Sequence, residues 1–288
     1  MMRSMFSGVS GMRSNQMLMD VVGDNIANVN TSGYKASRVV FQDTLSQLLS
    51  SGSAGSATTG STNPSQVGLG VHVNAIDAIQ TQGAIQNTGR GTDLAIQGTG
   101  MFVMNVGGSQ QYTRAGSFNL DANNHLVDAS GAMVMGWRAT GGVLAGTAGA
   151  PTDLVIPSVD PNGGLDSLGQ PLQLQSFSIG DDGAITAVYG GTPAIVGQIA
   201  MASFSNPAGL VAMGNGHFRA GPAAGAATVG AAGAGGVGGL SAGALEMSNV
   251  DLAQEFTNMM IAQRAFQANT KVISSSDDML QELVNLKR

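Results

Sequence analysis

The chain has 288 residues, enough for one large domain or two modest ones, with 43% hydrophobic residues but only 10% charged and 5% aromatic. Its 12 Lys and Arg against 18 Asp and Glu give a net charge of −6, which leaves no basic patch to neutralise phosphates and disfavours nucleic-acid binding. With no cysteine, a disulfide scaffold, a thiol nucleophile and a cysteine zinc site are excluded.

The opening Met1-Met2-Arg3-Ser4-Met5-Phe6 lacks the unbroken apolar stretch of a secretory signal, and no run of 18 apolar residues exists, so no membrane insertion is expected. Apolar residues recur at helical spacing up to about residue 50. The clearest stripe is Met2, Met5, Val9, Met12, Gln16, Met19, Gly23 and Ile26, with Leu18 and Val22 on the neighbouring seam. Gly8, Gly11 and Gly23 would let another backbone come close, at a cost in intrinsic helix stability. The methionine load suits an interface with several packings of similar energy. Residues 50–62, almost all Ser, Gly, Ala and Thr, can bury little and read as a linker.

From about residue 67 the pattern becomes short β-rich runs broken by Gly, Asn and Asp. Val71–Ile76 alternates with period two, Leu94–Ile96 leads through glycines into Met101–Met104, and Gly180-Asp181-Asp182-Gly183 separates Phe177–Ile179 from Ile185–Tyr189. An Asp-Gly pair between alternating runs predicts a hairpin, with positive φ at both central positions if the turn is type I′. Residues 220–239 are almost wholly Gly and Ala, which predicts a mobile surface loop.

After that loop a heptad stripe begins: Leu252, Phe256, Met259, Gln263, Phe266, Thr270, Ile273, Asp277, Leu280 and Val284. The polar members, Gln263, Thr270 and Asp277, fall one heptad apart, where they could fix register or face water. Ser248 or Asn249 can cap the start, and Lys287 and Arg288 complement the far end of the dipole. Such a helix would be about 50 Å long. We therefore expect a mainly β central domain with long N- and C-terminal helices pairing as a coiled coil. Residues 1–49 and 245–288 would form one discontinuous helical domain, with a linker at 50–66 and a β-rich outer domain at 67–219. That outer domain has room for a small insertion at 140–175, and 220–244 would loop back to the final helix.

No catalytic constellation emerges. His72, His125 and His217 are far apart in sequence without metal-ligand spacing, and Asp121, Asp181 and Asp182 sit in turns. No glycine cluster forms a dinucleotide or phosphate loop. Neither an enzyme nor a cofactor nor a metal site is expected.

The segment Asp24-Asn25-Ile26-Ala27-Asn28-Val29-Asn30-Thr31-Ser32-Gly33-Tyr34-Lys35 resembles the signature of the flagellar rod and hook proteins. So do Ser7-Gly8-Val9-Ser10-Gly11-Met12, Gly243–Leu252 and Met260–Asn269. Internal stretches such as Asp93–Gly98, Tyr112–Phe118, Gly136–Ala139 and Phe204–Leu210 are similar to hook proteins in particular. Asp24 stands where asparagine is common, and Met101 where an aromatic is usual. In that family the signature ends the N-terminal helix and turns the chain outward, which assigns Asn25, Asn28, Thr31, Gly33 and Tyr34 to the turn. The resemblance implies a compact hook subunit, with a distal rod subunit as the alternative, exported unfolded by the type III route to the hook and basal body. Its implied partners are copies of itself in a helical homopolymer, the rod and hook–filament junction proteins, and the export apparatus and hook cap during assembly. The assembly interface would be Met5, Val9, Met12, Met19, Ile26, Leu252, Phe256, Met259, Phe266, Ile273, Leu280 and Val284.

Overall fold

The structure, a computed structural model, describes residues 2–52, 60–140, 143–144, 149–161, 163–164 and 170–286. The chain divides into two compact units. Unit 1 gathers 1–28, 36–79 and 250–288, and unit 2 gathers 29–35 and 80–249.

Unit 1 holds two helices, α1 (Met2–Ala27) and α2 (Leu252–Asn285), and four strands, β1 (Ser37–Asp43), β2 (Ser46–Ser50), β3 (Ser65–Gly68) and β4 (Val71–Ala78). The helical reading of the first 50 residues therefore stops at Ala27. Residues 37–50, rich in Ser, Val, Gln and Leu, pair instead with 65–78 as an antiparallel ribbon, from Ser37 opposite Ala78 to Asp43 opposite Val71 and on through β2 and β3. The expected linker at 50–66 thus contributes a strand at its end, and residues 53–59 lie outside the described residues. Apolar residues at period 3.6 and at period 2 are hard to separate in so short a run, and the partner strand decides between them. Asn25, fully buried, fastens the ribbon to α1: its Nδ2 donates to the Ser37 carbonyl at 2.8 Å and its Oδ1 accepts from the Ser37 N–H at 2.9 Å. The cap of α2 is Asp251, whose carboxylate accepts from the N–H groups of Ala253 and Gln254, so neither Ser248 nor Asn249 caps the helix.

Unit 2 is built on β5 (Ile85–Asn87), β6 (Leu94–Gln97), β7 (Met101–Val106), β8 (Ser109–Thr113), β9 (Met133–Thr140), β10 (Leu174–Ile179), β11 (Ala184–Tyr189) and β12 (Thr192–Ile199). It continues through β13 (Met201–Ser203), β14 (Val211–Gly214), β15 (His217–Arg219), β16 (Thr228–Gly230), β17 (Gly239–Ala242) and β18 (Ala244–Glu246). The main antiparallel sheet runs β10-β11-β12-β9-β7-β8-β15-β14, and β13 joins it at β7. β7 is buried on both faces. Phe102 and Met104 enter one core with Phe118, Leu126 and Ile199, while Met101 and Val103 enter a second with Tyr112, Met135 and Trp137. A strand buried on both sides reads as a continuous apolar run, as Met101–Met104 does.

The hairpin at 180–183 forms as expected, but positive φ occurs only at Gly183, so the turn is not type I′. The Ala/Gly-rich stretch is not a loose surface loop. It contains β16 and the start of β17, and it buries Ala224, Ala231, Ala232 and Val237 against the sheet. Small residues are what this packing needs: Gly238 lies so close to the Gln97 carbonyl that any Cβ would overlap it.

Candidate functional site

The two terminal helices run antiparallel against each other. Ser4 lies beside Ser276 with their hydroxyls 3.5 Å apart, Gly8 faces Ile273, Gly11 faces Asn269, and Thr270 donates to the Met12 sulfur at 3.3 Å. The α2 residues least open to solvent are Ala262 and Ser276, with Met259, Phe266, Asn269, Ile273 and Leu280 half-buried. The 4/3 stripe is therefore real, but one of its two seam positions is displaced by a residue. Ala262, Asn269 and Ser276 occupy the places expected for Gln263, Thr270 and Asp277, which are exposed. The displacement has a physical cause. Gly8, Gly11 and Ser14 on α1 face inward, and small residues on both helices let the axes close to a distance that larger side chains would prevent. Met5, Val9, Met12, Met19 and Ile26 are half-buried along α1, with Met12 against Thr270 and Val9 on the side of the ribbon. Gly23, in contrast, approaches nothing within 4 Å.

Much apolar surface on unit 1 stays uncovered within the chain. Phe6, Met17, Leu252, Phe256, Met260, Ile261, Val272, Met279 and Val284 are exposed on the helices, and Leu45, Leu48, Leu49, Val67 and Leu69 on the ribbon. Exposed apolar side chains in this number, where they adjoin, are the mark of an interaction site. Between α1 and the ribbon the surface deepens into a cleft of about 510 Å³ walled by Phe6, Val9, Met17, Leu69 and Val71, with Arg13 at its side.

A second cluster lies inside unit 2. The chain leaves α1 through Asn28, whose backbone and side-chain N–H groups return to Asp24. It then turns at Thr31, whose carbonyl accepts from the Tyr34 N–H, and Gly33 has φ +71° with its N–H on the Glu246 carbonyl. A side chain at Gly33 would collide with the backbone of Arg114 and Ala115. Tyr34 is half-buried, whereas Gly33 and the neighbouring Lys35 are buried. The Lys35 ammonium donates to Glu246 Oε1 at 2.6 Å and to the Thr81 carbonyl at 2.7 Å. Arg114 Nε donates to Glu246 Oε2 at 2.6 Å, and its terminal nitrogens reach the carbonyls of Ile96, Gly98 and Gly100. The Gly83 N–H completes the carboxylate's shell at 2.9 Å.

Burial pushes the Glu246 carboxyl up, but donors from Lys35, Arg114 and Gly83 outweigh it and hold the group below the ordinary carboxylate range. Burial likewise drives the Lys35 ammonium down, and here Glu246 does not fully compensate. The asymmetry follows from two cations sharing one carboxylate: Arg114 favours the ionised Glu246 and repels Lys35. The effect is to bind together 29–35, 80–83 and 246–249, the segments through which the chain enters and leaves unit 2; Asn249 adds a bond to Thr81. Sequence reasoning did not find this cluster. The only signal available was that three charged residues, in a chain with few, each sit inside a motif segment.

His217 is buried, its Nε2 2.8 Å from Asp128 and 3.2 Å from the Ser130 hydroxyl. Burial pushes the Asp128 carboxyl up, but donors from Ser130 and Ala132 and the neighbouring His217 bring it below its ordinary range. Ser and Asp meet the same ring nitrogen, so the trio is not a proton relay, which needs the base to hold its two partners on opposite nitrogens. Among the described residues no group of three His, Asp or Glu could hold a metal, and no helix is long and apolar enough to cross a membrane.

Comparison with known families gives three matches: "Flagella basal body rod protein" over residues 5–35, "Flagellar hook protein FlgE/F/G D1 domain" over 95–187, and "Flagellar basal body rod FlgEFG protein C-terminal" over 241–286. The chain is 45% identical over 290 residues to the flagellar basal-body rod protein FlgG of Bacillus subtilis (strain 168), covering all of both. It is 35% identical over 294 residues to the FlgG of Borreliella burgdorferi, and 32% identical over 441 aligned positions to the flagellar hook protein FlgE of the same organism, again covering all of each pair.

Proposed function

This chain belongs to the flagellar rod and hook protein family, a family of structural proteins of the bacterial flagellum, and from that premise we propose that its copies polymerise through unit 1 into a tubular axial segment. The observation that carries the proposal is the apolar surface on α1, α2 and the ribbon, which the chain itself leaves in water. In a tube that surface would be buried between copies, at roughly 25 cal/mol for each Å² removed from solvent. The helices would form the inner, coiled-coil layer, with Leu252, Phe256 and Val284 meeting neighbours and Met5, Met12, Met19, Met259, Phe266, Ile273 and Leu280 holding each pair. Unit 2 would face outward. The adjoining partners would be other rod and hook components, the hook–filament junction proteins, and the export apparatus and hook cap during assembly.

Two places in the axis fit. A distal rod is supported by the end-to-end match with rod proteins, which need almost no added length: 290 and 294 aligned positions, against 441 for the hook relative. A hook is supported by the methionine-rich stripe of α1, since flexible thioether side chains keep alternative packings close in energy, as a bending tube requires. Electron microscopy of polymers grown from the purified chain separates them: straight tubes assign the rod, curved and supercoiled tubes the hook. A chain that stays monomeric at high concentration and salt would refute both.

A further inference from the structure

Unit 1 presents two unlike features that complement each other, and neither can be satisfied within one copy. The first is the end of α2. Because Ser4 is level with Ser276 in the antiparallel pair, the last residues of α2 pass beyond the start of α1. About six residues overhang, roughly 9 Å at 1.5 Å per residue. This end is apolar and acidic: Met279, Val284 and Leu286 are exposed, the last at 82%, and so are Asp277, Asp278 and Glu282. Its charges between residues 272 and 286 are all acidic, and Lys287 and Arg288 follow in the sequence.

The second feature is the cleft between α1 and the ribbon, with apolar walls interrupted by Ser10, Ser14, Thr44 and His72, and Arg13 as its one residue of fixed charge. Arg13 makes no ion pair among the described residues. Its own chain cannot supply one from the overhang. Gly11 lies opposite Asn269, so Arg13 is more than ten residues of helix, over about 15 Å, from Glu282.

We propose that the overhanging end of α2 of one copy seats in the Arg13 cleft of the next, with Asp278 and Glu282 meeting Arg13 and Leu286 entering the apolar wall. The contact joins two different surfaces of the same chain. It is therefore heterologous, and such a contact, repeated, builds an open filament and not a closed pair. It also gives the assembly a polarity, since every copy offers a helix end at one side and a cleft at the other. This deepens the assembly reading given above and rests on it.

Charge reversal in the full-length chain tests it, with wild-type polymerisation as the reference. Arg13→Glu alone, and Asp278→Arg with Glu282→Arg alone, are each expected to raise the critical concentration for polymerisation at least tenfold. All three changes in one chain are expected to bring it back to within about threefold of wild type. Equal polymerisation by Arg13→Glu, or no recovery on recombination, overturns the contact. Because the chain has no cysteine, a second measurement is free of background. Met17→Cys and Leu286→Cys lie over about 30 Å apart along the helix pair of one copy, whereas a disulfide needs Cα atoms within about 7 Å. Oxidised polymers of this double variant are expected to give a ladder of covalent dimers, trimers and larger species. Dimers alone, or no ladder from well-formed polymers, overturns the head-to-tail arrangement while leaving assembly through unit 1 standing. A wild-type chain that never polymerises refutes the assembly reading first.

Discussion

Glu246 is the residue on which unit 2 depends most sharply. Its carboxylate is fully buried between Lys35 and Arg114, so removing it leaves two cations without an anion in a low-dielectric interior. Glu246→Ala is expected to cost about 3–5 kcal/mol. The single Trp137, buried in the second core of the same unit, gives a fluorescence signal for urea unfolding that reports this unit alone. The pH dependence has a definite sign. The Glu246 carboxyl is held below its ordinary value of about 4.3, so its ionised form stabilises the fold at neutral pH. That contribution is lost as pH falls from the ordinary value through the lowered one. Asp128 is shifted in the same direction and adds to the slope. Glu246→Gln should therefore unfold with a shallower dependence on pH below the ordinary carboxylate range; an unchanged slope would place the acid-side proton uptake elsewhere. None of this was legible in the sequence, because Lys35, Arg114 and Glu246 are joined only by the fold, and no period or spacing links residues that far apart.

At the level of the helices, the stripe was readable to within one residue. Met259, Phe266, Ile273 and Leu280 are half-buried, with Ile273 against Gly8, but the most covered companion positions are Ala262, Asn269 and Ser276. Ranking positions by apolarity favours the larger neighbours, while close helix packing selects the small ones. The glycines of α1 separate the two effects. Gly8 and Gly11 touch α2, so Gly11→Leu should force the helices apart and cost about 1–3 kcal/mol, as overpacking does. Gly23 has open space around it, so Gly23→Ala should gain about 0.5–1 kcal/mol from helix propensity alone. The two long helices are both in unit 1, so the thermal midpoint of the far-ultraviolet helix signal checks both variants. The strands at 37–50 escaped the sequence reading because their register is set by 65–78, a partner that periodicity in a single run does not reveal.

For the molecule as a whole, the β centre and helical ends were visible in the change of hydrophobic period along the chain, and the Ala/Gly stretch was misjudged. Low complexity signals poor burial when residues must fill space, but at a sheet edge where backbones nearly touch, alanine and glycine are the residues that fit. Unit 2 has two cores of its own and most of the chain's buried apolar residues, which gives a direct test of the division of labour. Deleting 252–288 is expected to leave a soluble chain whose Trp137 unfolding transition is close to that of the full chain, yet which forms no tubes. Tubes from the shortened chain would show that α2 is not the assembling element.

The division also imposes an order in time. Unit 1 is assembled from the first, an early and the last parts of the chain, so α1 has no helix to lie against until residues beyond 250 are present. Closing so long a loop is slow compared with pairing neighbouring strands, and the β unit can be complete before it happens. The paired-helix surface, to which α2 brings Phe256, Met260, Ile261 and Val284, thus takes shape only when the final stretch of the polypeptide arrives. A subunit with this connectivity completes its joining surface last.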